Sequence, residues 1–139
     1  FICYMIERVA RHIKQKNNYV VNTIGKDELY HLISCANVLH CENPLKVEND
    51  WINDYDLKQG NYDITNVDKD IAEIIPSPID MGAVYQRLIR DTMSSKEDYV
   101  DGIIRVYNNE ICDVIDNYNC SAFYEPSYVI ARAYQNGGF

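Results

Sequence analysis

His31 and Cys35 stand four residues apart, a spacing that puts an imidazole and a thiol on one face of a helix, where both could ligate one metal ion. His40 and Cys41 follow closely, but on a continuous helix they project elsewhere. The second close couple of ligands that a zinc site uses is absent. Glu28 and His31 form a Glu-x-x-His step of the kind that helical bundles use for di-iron carboxylate centres. Such a centre takes two of these motifs, and neither His12 nor His40 has a glutamate three residues before it. A nucleophilic thiol needs a neighbouring base or a helix start to lower its pKa, and Cys35 and Cys112 fall in mid-helix. Asp54 and Asp56 open like a calcium loop. Lys58 then takes the fifth position, Gly60 arrives one residue late, and Thr65 replaces the bidentate glutamate. No glycine-rich phosphate loop, nucleophile elbow or metalloprotease helix occurs. The residues therefore favour a non-enzymatic protein with no cofactor. A small enzyme or metal protein centred on His31 and Cys35 is the runner-up.

Charge is more informative than catalytic chemistry. The 139 residues carry a formal net charge of -8, and it is unevenly spread. Residues 1–46 hold six basic and four acidic side chains, residues 47–80 two basic and nine acidic, and residues 81–139 five basic and eight acidic. The middle segment alone is at -7. Within it Asp50, Asp54 and Asp56 interleave with Trp51, Tyr55 and Tyr62, aromatics among carboxylates, which suits a surface that binds a basic protein partner. Arg8, Arg11, His12, Lys14 and Lys16 give the first helix a basic back face. This supports a third reading, a nucleic-acid-associated regulator, which the acidity of the whole chain opposes.

These side chains need elements to carry them, and apolar residues at spacings of three and four supply helices. The clearest spans 94–118, where Val100, Ile103, Ile104, Tyr107, Ile111, Val114, Ile115 and Tyr118 line one stripe, capped by Ser94 or Ser95. Further helices are expected over 2–16, 27–40, 44–55, 68–75, 79–93 and 126–135. Tyr19, Val20 and Val21 form a short β-prone run, and 62–67 reads as extended. Asn43-Pro44 and Ser77-Pro78 are helix starts, with a capping side chain and then proline at the first helical position. The expected fold is all-α: one domain over 1–139, an irregular helical bundle of five to seven helices, with an acidic connecting segment at 47–80.

No apolar run approaches the roughly 20 residues that span a bilayer, and Glu7 and Arg8 interrupt the opening apolar stretch. The five cysteines are odd in number and match no disulfide framework, so a reducing cytoplasmic setting is expected. The first-helix pattern Phe1-Ile-Cys-Tyr-Met-Ile-Glu-Arg-Val-Ala10, with Val38-Leu39-His40 after the second helix, resembles small bacterial helical proteins of unknown function encoded beside ADP-ribosyltransferase-like toxins. The resemblance covers about the first 40 residues, carries no functional residue across, and implies an accessory role of the antitoxin or immunity kind.

Overall fold

A computed structural model describes residues 1–72 and 74–139. Its α-helices are α1 (Ile2–Ile13), α2 (Asn17–Ile24), α3 (Lys26–Ser34), α4 (Ala36–Leu39), α5 (Pro44–Asp54), α6 (Pro78–Thr92), α7 (Tyr99–Tyr107), α8 (Ile111–Ile115) and α9 (Ser127–Asn136). A 3-10 turn at Ala122–Tyr124 precedes α9, and no strand is present among the described residues. The all-α class holds, with nine α-helices among the described residues rather than five to seven. The excess comes from breaks that the apolar spacing does not register.

The expected helix over 94–118 is two helices in nearly one apolar phase. Asn108 turns its amide onto the Ile104 carbonyl, and the Asn109 side chain accepts from the Ile111 N–H at 2.9 Å, so two asparagines end one helix and start the next. The cap of α7 is Asp98, which accepts from the Asp101 N–H at 2.8 Å, rather than Ser94 or Ser95. The 27–40 helix breaks similarly, where the Ser34 hydroxyl donates to the His31 carbonyl and α4 restarts after Cys35. Residues 17–24 are helical despite their β-prone run. Val20 and Val21 are fully buried there, and tertiary burial outweighs a weak local preference.

Residues 68–75 form no helix among the described residues. A single turn closes at Asp68–Ala72, and Glu73 lies outside the described residues. The extended reading of 62–67 gives no strand either. Asn43 and Ser77 cap α5 and α6 as their proline neighbours imply.

The core is built around α1, which buries Ile2, Met5, Ile6, Val9 and Ile13 against α2, α5 and α6. α6 in turn packs on α7 and α9. The α1–α6 approach depends on Gly82. A Cβ there would lie 2.6 Å from the Tyr4 backbone nitrogen and 2.7 Å from its Cα. Residues 55–72 and 74–77 then run as an irregular strap across the end of α1. Gly60 and Tyr62 donate their N–H groups to the carbonyls of Ile13 and Lys14, and Arg11 reaches the Pro76 carbonyl. Asp68 donates its N–H to the Asn119 side chain, and the Tyr124 hydroxyl donates to the Ile74 carbonyl at 2.5 Å. The strap therefore has fixed anchors without regular secondary structure.

Candidate functional site

The acidic and aromatic residues of the middle segment occupy two different places. Asp50, Asp54, Tyr55 and Asp56 cluster around the end of α5. Asp50 pairs with Lys46 at 3.0 Å, and Asp56 pairs with Lys58 at 2.8 Å. The Tyr55 hydroxyl donates to Glu28 at 3.3 Å, and burial together with that carboxylate pushes the phenol up to about 12. Trp51 is only 2% exposed, so it cannot serve a surface; it follows Val47 on the α5 face that enters the core. Tyr62 lies apart from this group, under the Lys16 ammonium, which sits 5.6 Å from its ring centroid.

Around Tyr62 the strap and the α8 region form two clefts that meet at Asn119. One, of about 380 Å³, is lined by Lys16, Tyr62, Asp63, Asn66, Asp113 and Asp116. The other, of about 310 Å³, is lined by Ile71, Tyr118, Asn119, Cys120, Ser121 and Tyr124. Ile71 and Ile74 are 60% and 67% exposed and Tyr124 is half exposed, so apolar surface lies open beside carboxylates. Thr65 donates to Asp63 through both its N–H and its hydroxyl, which holds that carboxyl below its ordinary value and keeps it charged.

Behind the acidic cleft is a buried polar cluster. Glu7 of α1 is 2% exposed, and its carboxylate accepts from the Asn17 amide at 3.1 Å. The same amide nitrogen donates to Asp116 at 3.2 Å, and the other Asp116 oxygen accepts from the Tyr85 hydroxyl at 2.7 Å. Desolvation, then the neighbouring Asp116 charge, raises Glu7 from 4.5 to about 8. Asp116 is raised from 3.8 to about 7, chiefly by its own burial. The hydroxyls of Tyr107 and Tyr118 are buried nearby without hydrogen-bond partners among the described residues.

The basic face of α1 is engaged internally. Glu48 of α5, buried at 4% exposure, receives Arg8 at 2.6 Å and also His12, while Arg8 donates on to the Tyr4 hydroxyl. Arg11 holds the strap, and Lys16 pairs with Asp113 at 3.4 Å. His31 and Cys35 do face one another, Sγ to Nε2 at 4.0 Å across the α3–α4 break, and no group of three or more candidate metal ligands forms among the described residues. A further cleft, of about 480 Å³, lies between α1 and the start of α6, lined by Phe1, Tyr4, His40, Glu42, Ile79 and Gln86. It joins apolar surface to one imidazole and one carboxylate, with only a buried thiol, Cys3, beneath it. Burial pushes that thiol up and away from reactivity.

Apolar spacing points to neither the carboxyl pair nor the exposed isoleucines. Glu7 nevertheless falls on the α1 stripe, one turn from Cys3 and from Ala10, and a carboxylate in such a position is itself a signal. No protein-family model, curated protein or solved structure matches the chain. Among the described residues no helix is long and apolar enough to cross a membrane.

Proposed function

We propose that this chain is a non-enzymatic interaction protein whose partner is a protein with a basic, amphipathic segment. The supporting observation is the pair of clefts meeting at Asn119, one acidic and one apolar. Basic side chains of the partner face Asp63 and Asp113, and its apolar side chains cover Ile71, Ile74 and Tyr124. In this reading the surface lies on the strap and the α8–α9 connection, and the Asp50, Asp54 and Asp56 group at the end of α5 adds long-range attraction. A cytoplasmic accessory role of the antitoxin or immunity type is compatible with such chemistry, because an acidic protein can mask a basic functional face of its target.

The test uses two surface variants and a salt series. A partner captured from native cells is purified and rebound to the isolated chain. Asp63→Lys combined with Asp113→Lys should weaken binding by about tenfold or more and flatten its salt dependence. Ile71→Asp should weaken it at every salt concentration. Retained affinity in both variants, with loss instead in the Asp50, Asp54 and Asp56 charge-reversal triple, would move the interface to the end of α5 and refute the assignment to the strap.

A further inference from the structure

We propose that Glu7 and Asp116 form a proton-operated latch, in which protonation of the two carboxyls keeps the residues after α8 docked on Asn17 and Tyr85, and release of a proton to solvent lets Asp116 swing out into the acidic cleft. The geometry is that of a mutually dependent pair. Both carboxyls accept from the single Asn17 amide nitrogen, at 3.1 and 3.2 Å, which brings the two acids to the same group. Asp116 is the residue directly after the five-residue α8, and it lines the cleft of about 380 Å³. It has space to move into. Glu7, on the buried face of the central helix, has none.

The neighbours decide the outcome of deprotonation. Cys3 on α1, Tyr85 on α6, Tyr107 on α7 and Cys112 on α8 face the pair, as do Tyr118 beyond it and Tyr62 on the strap; burial raises every one of them, so all are neutral. Asp113 adds a further negative charge. The cations in range are Arg11, whose guanidinium already serves the Pro76 carbonyl, and Lys16, which already pairs with Asp113. Two charges facing one another across one amide, with Glu7 buried, repel without a free counter-ion. Asp116 relieves the repulsion by moving toward water and Lys16, which breaks its bonds to Tyr85 and Asn17 and adds a charge to the cleft wall.

The latch belongs to the chain alone and needs no partner, so it is tested independently of the interaction reading. Amide hydrogen exchange, corrected for the intrinsic effect of pH, is measured from about pH 6 to about pH 9 at Asp116, Asn117 and Cys120, which bond to the carbonyls of Cys112, Val114 and Asn117. While the closed latch still holds a proton that the open form has released, protection at these sites should fall about tenfold per pH unit, levelling off once the closed form loses that proton too, while amides in α5 change little. Glu7→Gln, which keeps an acceptor for Asn17, should abolish the loss. A carbon-detected titration of the Glu7 carboxyl in the unmodified chain provides the reading if the variant folds poorly. Constant protection across the range, an equal loss in Glu7→Gln, or a Glu7 carboxyl that titrates in the ordinary carboxylate range would each overturn the proposal.

Discussion

Stability should fall as pH rises from about 5 to about 8, and Glu7→Gln should remove much of that fall. Unfolded, Glu7 ionises at its ordinary value of 4.5; folded, it holds its proton up to about 8. Between those limits the native state binds a proton that the unfolded chain has released, so raising the pH favours unfolding. The slope for one such proton is about 1.4 kcal/mol per pH unit. Asp116, raised from 3.8 to about 7, acts in the same direction, and each group adds most of its slope where the other is still protonated. Other titrating groups with resolved shifts act outside this window. Asp63, Glu97 and Asp98 are lowered, so the stability they contribute is lost only on acidification below the ordinary carboxylate range. The buried tyrosines and thiols are raised from ordinary values of 9 or 10, so their cost begins at higher pH. Urea unfolding at unit steps of pH measures the slope through the midpoint. The stability gap between Glu7→Gln and the unmodified chain should widen by about 1.4 kcal/mol per pH unit toward alkaline pH. A flat or rising curve for the unmodified chain, or an unchanged slope in the variant, would rule out a proton held by Glu7 in the folded state.

Packing sets two more expectations. Gly82→Ala and Gly102→Ala both gain up to about 1 kcal/mol of helix preference, yet their net costs should differ. At Gly82 the new methyl meets the Tyr4 backbone at 2.6 Å and two helices must separate, for a net loss of about 2–3 kcal/mol. At Gly102 its nearest contact is the γ2 methyl of buried Ile89 at 2.8 Å, a side chain rather than backbone, so the loss should be smaller, about 1 kcal/mol by urea unfolding. Glu48→Ala should cost about 2 kcal/mol, since it strands Arg8 and His12 and opens a gap beside α1. The loss is limited because both side chains are partly solvated, and it should appear as a melting temperature lowered by about 5 °C.

Apolar periodicity locates the helices well because burial, the largest favourable term in folding, is what it records. Ile103, Tyr107, Ile111, Ile115 and Tyr118 all lie in the core although the helix carrying the first two ends before the third. Periodicity is silent about where a helix breaks while its phase continues. That information lies in the short polar side chains that compete for backbone bonds, Asn108 and Asn109 in one place and Ser34 in another. Lys14 illustrates the same limit. Its left-handed backbone, φ 53, ends α1 before Lys16 without a glycine to announce the turn.

Charge counting succeeds and fails for a related reason. It identifies the segment that carries the excess of carboxylates, but summing over a stretch of chain cannot tell a solvated carboxylate from one that the fold has committed. Glu48 contributes to the total of -7, and in the structure it is buried beneath Arg8 and His12. Asp113 and Asp116 lie outside the segment, yet the strap brings Tyr62 and Asp63 to their side. A surface is assembled by contacts between distant residues, such as those of Asp68 with Asn119 and of Tyr124 with Ile74. Its composition is therefore a property of the fold. The same holds for Glu7: as one carboxylate on an apolar stripe it reads as an exception to the pattern, and only the arrival of Asp116, more than a hundred residues later, makes it half of a titrating pair.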